Sequence, residues 1–100
     1  MSDVPNDSED QIFMEELKQE FKENVSKNIV ELYQLFEAKD IEGIARISHD
    51  LKGTSGIFGY EEGSEIAKNL NIAAKNNEID KIKEIIDQLS DYLKRENLIS

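Results

Sequence analysis

Apolar residues recur every three or four positions along most of the chain, the spacing of a single buried face on an α-helix. Phe13, Leu17, Phe21, Val25, Ile29, Leu32 and Phe36 form the first stripe. It predicts one long helix, or two with a break near Asn24, capped by Asp7 or Ser8. Ala38-Lys39-Asp40 reads as a turn, with Asp40 as the N-cap of a second helix from about Ile41 to Phe58. Ile44, Ile47, Leu51 and Phe58 mark the buried face of that helix, and Gly59-Tyr60 end it. Glu61 or Glu62 opens a third helix, where acids suit the positive end of the dipole. Ile66, Leu70 and Ala73 are its inward positions. Asn76-Asn77 form the next turn, with Asn77 placed to cap the last helix. There Ile79, Ile82, Ile86, Leu89 and Leu93 make a stripe, widened by Ile85 and Tyr92, while Leu98 and Ile99 trail off. Short connections imply antiparallel neighbours. The expected fold is all-α, an antiparallel up-and-down four-helix bundle, with or without an extra short N-terminal helix. Residues 1–8 read as a disordered acidic tail and residues 9–97 as the helical-bundle domain.

The polar face of the second helix departs from a plain solvated surface. Ala45, Arg46, Ser48, His49, Lys52, Gly53 and Gly56 are assigned to it, and His49 is the only histidine in the chain. Lys52 and Gly53 stand one turn ahead of His49, Ala45 and Arg46 one turn behind. A glycine inside a helix costs about 1 kcal/mol relative to alanine. Gly53 is therefore expected to leave room for a bulky group or another backbone close to His49. The imidazole is the side chain that keeps a neutral, nucleophilic fraction near neutral pH. A phosphoryl group on it would sit near Lys52. Over a separation of about 6 Å, unit charges attract by roughly 0.7 kcal/mol in water and about 3 kcal/mol at an effective dielectric of 20. Gly56 and Gly59 suit helix packing and the turn, and Phe58 and Tyr60 suit packing beneath it.

The pattern His49-x-x-Lys52-Gly53, with small Ser55 and with Gly59 ten positions after the histidine, resembles the histidine-containing phosphotransfer (HPt) domain. Gly56-Ile57-Phe58-Gly59-Tyr60 is also similar to the phosphoacceptor domain of chemotaxis histidine kinases. The motif covers about a dozen residues; the helical pattern and the place of the histidine on the second main helix extend the likeness over most of the chain. The resemblance implies a phosphorelay intermediate. His49 would be the phosphorylated nucleophile, reacting through Nε2, and Lys52 a phosphate contact. Arg46, Gly53, Ala45, Ser48 and Gly56 would form the phosphoryl or partner environment. The family often carries a glutamine near the imidazole, twenty-two residues on; here that position is the shorter Asn71. The implied partners are response-regulator receiver domains and, upstream, a hybrid histidine kinase. The receiver would bring the metal ion, so this chain is expected to need no cofactor and to lack kinase activity of its own. Two alternatives stand beside this one: the phosphoacceptor domain of a larger chemotaxis-type kinase, and a helical binding module whose histidine is not phosphorylated. Met1 weighs towards a free protein.

Composition narrows the picture. One hundred residues make a single domain at most. With no cysteine and one histidine, neither a disulfide framework nor a zinc site is expected, and no metal site is assigned. A formal net charge of −10 argues against nucleic acid or an anionic membrane as partner. Residues 1–23 hold eight acids and two lysines; residues 41–76 hold five acids and four bases. The surroundings of His49 are thus nearly neutral within an acidic chain, so a phosphorylated partner meets little repulsion there. No apolar run is long enough to cross a membrane and no secretory signal opens the chain, so a cytoplasmic monomer is expected.

Overall fold

The computed structural model describes residues 6–100, with side chains from Gln11 onward. Four α-helices follow one another: α1 (Asn6–Glu37), α2 (Ile41–Ile57), α3 (Glu61–Lys75) and α4 (Ile79–Arg95). No strand is present among the described residues. Helix α2 packs on α1 and α3, α4 packs on α3 and α1, and α1 and α3 lie diagonally across the bundle. The first stripe is one continuous helix through Asn24, with no separate N-terminal helix among the described residues. Of the tail expected over residues 1–8, residues 1–5 lie outside the described residues. Asn6 already begins α1, so Asp7 and Ser8 fall inside the helix rather than ahead of it. The single proline, Pro5, precedes this point, and nothing after it breaks a helix.

Phe21, Val25, Ile29 and Leu32 of α1 meet Ile44, Ile47 and Leu51 of α2, Ile66 and Leu70 of α3 and Ile82, Ile86, Leu89 and Leu93 of α4 in one core. Three stripe positions depart from the sequence reading. Phe13 is 59% exposed and Leu17 only half-buried. The reason is length: at ~1.5 Å per residue, 32 residues outrun helices of 15 to 17 residues by roughly 22–26 Å. Ile79 is exposed at the mouth of α4, whereas Leu98, expected to trail off, is buried after the chain turns back past Arg95.

Every helix ends in the same way. Lys39, Gly59, Asn77 and Asn97 take positive φ angles of 61°, 84°, 58° and 60°. The following amide then reaches back to a carbonyl five residues earlier, as from Asp40 to Leu35, Tyr60 to Ser55, Glu78 to Ala73 and Leu98 to Leu93. This closes the orphan carbonyls of each last turn. Asp40 caps α2 as expected, its carboxylate accepting from the Gly43 amide at 2.9 Å. Asn77 does not cap α4. It is consumed by the left-handed turn, and the N-cap position falls to Glu78, which makes no side-chain capping bond.

Gly63, in the first turn of α3, faces the buried Tyr92 ring; a Cβ there would lie 2.8 Å from Tyr92 Cε2. Gly63→Ala is therefore expected to destabilise. Overpacking costs roughly 1–3 kcal/mol, against up to about 1 kcal/mol regained from helix propensity. Thermal unfolding would read this as a midpoint lower by about 4–8 °C per kcal/mol in a domain this size.

A polar latch joins α1 to α4. The Tyr33 hydroxyl donates to Asp87 Oδ1 at 2.6 Å, and Lys83 Nζ pairs with the same carboxylate at 3.0 Å. Burial first, then the Asp87 carboxylate, push the Tyr33 hydroxyl up to about 12. Hydrogen bonds from Tyr33 and then Lys83 hold Asp87 below the usual carboxylate range. Both side chains of the ion pair are near half-exposed, so the latch is weak. The signs set a pH window. The depressed Asp87 contributes stability above ~4 that is lost as pH falls through its folded value. The raised Tyr33 contributes stability below ~10 that is lost as pH climbs towards about 12. A series of melting midpoints from pH 2 to 12 should show both limbs, and Tyr33→Phe should flatten the alkaline one.

Candidate functional site

The helical stripe of α2 turns Ile44, Ile47 and Leu51 inward and leaves His49 exposed on the outer side. His49 lines an open groove of about 510 Å³ between α1 and α2. From α1 come Asn24 and Asn28, with Phe21 and Val25 at the floor; from α2 come Asp50, Gly53, Thr54 and Ile57. Below the end of the groove, Phe21 stacks on Phe58 with ring centroids 4.8 Å apart and on Tyr60 at 5.6 Å. These contacts fix the α2–α3 turn against α1, the packing role expected for both aromatics. The imidazole makes no hydrogen bond to another described residue.

The residues assigned to the His49 face separate into three groups. Gly53 shares the groove with His49, and a Cβ built on it would meet nothing within 4 Å. Arg46, Lys52 and Gly56 are exposed beside the groove rather than in its lining. Neither Arg46 nor Lys52 forms a salt bridge among the described residues, so both cations remain available. A Cβ on Gly56 would make an ordinary 3.7 Å contact with Ser64 Oγ, consistent with close helix packing. Ser48, by contrast, does not belong on the outer face: it is 0% exposed. It stands four residues after Ile44 and three before Leu51, hence at the centre of the buried stripe. Its hydroxyl donates to the Ala45 carbonyl at 3.0 Å. Periodicity already carried that signal, but the polarity of serine obscured it. Ala45 is half-buried under α3.

Asn71 is not engaged with the imidazole. Its Nδ2 donates to the carbonyl of Ala45 at 2.7 Å, across the α2–α3 interface. Five groove residues, Asn24, Asn28, Asp50, Thr54 and Ile57, have no role assigned from sequence. Ile57 had a legible signal, since it lies outside the apolar stripe of its helix; it is 78% exposed. The two asparagines interrupt nothing in the α1 pattern, and only the fold places them opposite His49.

The class defined by this arrangement is a helical bundle that presents one solvent-facing imidazole on its second helix, beside a glycine that fills no space. The chain belongs to the Hpt domain family, which matches residues 16–96. It is also similar to the phosphorelay intermediate protein rdeA of Dictyostelium discoideum, with 31% identity over 93 residues. That match covers 82% of this chain and 37% of the relative, so the chain spans little more than a third of the relative's length. No solved structure matches the chain at comparable stringency. Among the described residues, no helix is long and apolar enough to cross a membrane.

Proposed function

We propose that this chain is a cytoplasmic phosphorelay intermediate that carries a phosphoryl group on His49 between receiver domains. The observation that supports this most directly is the exposed imidazole, free of hydrogen bonds among the described residues, beside the empty space over Gly53. Its Nε2 lone pair attacks phosphorus of an aspartyl phosphate. The new P–N bond forms as the P–O bond to the carboxylate breaks, the carboxylate leaves as an anion, and Nδ1 carries the ring proton. Passing the group on reverses these steps at a second aspartate. Phosphoryl transfer rests on positioning and on charge stabilisation. The receiver supplies the metal ion and most of that machinery. This chain supplies the nucleophile, clearance at Gly53 and a cation at Lys52, with Arg46 as the second. Asp50, the one acidic residue in the groove lining, is a feature the partner must meet with its own positive charge.

The test is transfer itself. Receiver domains from the same cell, phosphorylated and mixed with this chain, should yield an acid-labile, base-stable label on it. Labelling only by a kinase core from ATP would instead mark the chain as a phosphoacceptor domain of a larger kinase. Binding without label from either source would leave a helical binding module.

A further inference from the structure

Two side chains of α3 reach backbone carbonyls of α2 on either side of His49. Asn71 Nδ2 donates to the Ala45 carbonyl at 2.7 Å, and Ser64 Oγ donates to the Lys52 carbonyl at 2.8 Å. Ala45 stands four residues before His49 and Lys52 three after it. The two acceptors are seven residues apart on α2, and the two donors are seven apart on α3. Seven residues is two helical turns, so the bonds occupy matching levels of two antiparallel helices. They are the only side-chain hydrogen bonds between α2 and α3 among the described residues.

The Ala45 oxygen is the more heavily used acceptor. In the α-helix it takes the backbone N–H of His49 itself; Ser48 Oγ adds a second donor at 3.0 Å and Asn71 a third. A carbonyl offers two lone pairs. Removing Asn71's amide therefore leaves this oxygen satisfied, and the bond adds little to burying the group. Its effect is to tie the turn that bears His49 to α3. Both ties act on backbone, so they fix the helix without occupying the face on which a partner docks.

We infer that Asn71 and Ser64 are positioning residues, a clamp from α3 that holds the His49 turn of α2 in place while a receiver presses on its opposite side. This rests on the relay reading of His49. A misplacement of about 1 Å at a reacting atom can cost on the order of 100-fold in rate. A clamp limiting sub-ångström drift is therefore expected to be worth less, about threefold for each bond and about tenfold for both.

The experiment compares Asn71→Asp, Asn71→Leu, Ser64→Ala, Ser64→Thr and the double variant Asn71→Asp/Ser64→Ala with the parent chain. Asn71→Asp keeps the shape of the side chain, but a carboxylate cannot donate to a carbonyl. Ser64→Thr keeps the donor. Single-turnover transfer from a phosphorylated receiver should slow for the first three and the double variant, with KM unchanged, while Ser64→Thr transfers at the parental rate. Labelling of His49 by phosphoramidate, a small donor that does not press on α2, should be equal in all. Amide hydrogen exchange of His49 should quicken by about tenfold in the double variant, since less holds that turn closed. Transfer rates equal to the parent's in every variant overturn the inference. So does a loss that appears in KM alone, or one that Ser64→Thr shares with Ser64→Ala. A parent chain that no receiver labels sinks the relay reading instead; the His49 exchange rate then decides the clamp, and an unchanged rate in the double variant overturns it.

Discussion

His49→Gln is expected to abolish phosphoryl uptake from every donor while leaving the bundle as stable as before. The two halves of that expectation rest on different observations. His49 is exposed and makes no hydrogen bond to another described residue, so its loss removes no packing. A surface change of this kind moves stability by no more than about 0.5 kcal/mol. Uptake, however, depends on one nucleophilic nitrogen, and the chain holds no second histidine and no cysteine to replace it. Glutamine preserves a polar amide of similar reach, but an amide nitrogen is not a nucleophile at neutral pH. The loss should therefore reach the detection limit rather than a residual fraction. The check is paired: label on the chain after mixing with a phosphorylated receiver, and the melting midpoint of the same preparation. Full label on the glutamine variant would place the phosphoryl group elsewhere. A collapsed midpoint would mean that His49 supports the fold, which its exposure contradicts.

Much of the architecture was legible because the apolar spacing is regular and the turn chemistry local. Asp40 could be read as a cap and Gly59 as a left-handed stop, and both act so. The other three helix ends use Lys39, Asn77 and Asn97 in the same conformation. Lysine advertises no such preference, and asparagine serves equally as a cap, which is why Asn77 was assigned to the wrong side of its turn. Phe13 illustrates a different limit. Periodicity reports which residues share a face, but not where the neighbouring helices stop, so a stripe that outruns its bundle still reads as core. Ser48 shows the converse: a polar residue at a core position hides in sequence because its hydroxyl is satisfied within its own turn. At the candidate site, residue spacing sufficed to place His49 and Gly53 on one exposed face. The partner of Asn71 could not be found that way. Whether an amide reaches a side chain or the backbone one turn away is decided by the distance between α2 and α3, a tertiary quantity. The same holds for Asn24 and Asn28, which share a groove with His49 only because α1 runs alongside α2.

Gly53 is the position where stability and function should move in opposite directions. It lies within α2, and a Cβ added there would meet nothing within 4 Å. Alanine should therefore stabilise the bundle by up to about 1 kcal/mol, through helix propensity alone. In a domain of this size that is a rise of about 4–8 °C in melting midpoint. On the relay reading proposed above, a glycine that costs stability and packs against nothing in its own fold leaves room for a partner to approach from outside. Gly53→Gln carries the argument further, because its side chain extends into the groove that His49 lines. Helix propensity again favours the variant, yet the partner's approach to the imidazole is obstructed. Transfer from a phosphorylated receiver should fall by about 100-fold, the cost of a reacting atom held roughly 1 Å from its place. Labelling by phosphoramidate, which is small enough to pass the added side chain, should change far less. That contrast separates obstruction of a partner from damage to the nucleophile. If Gly53→Gln melts higher and still accepts the phosphoryl group from the receiver at the parental rate, then the space above Gly53 is not the route of approach. The groove face of α2 would then have to be surrendered as the docking side.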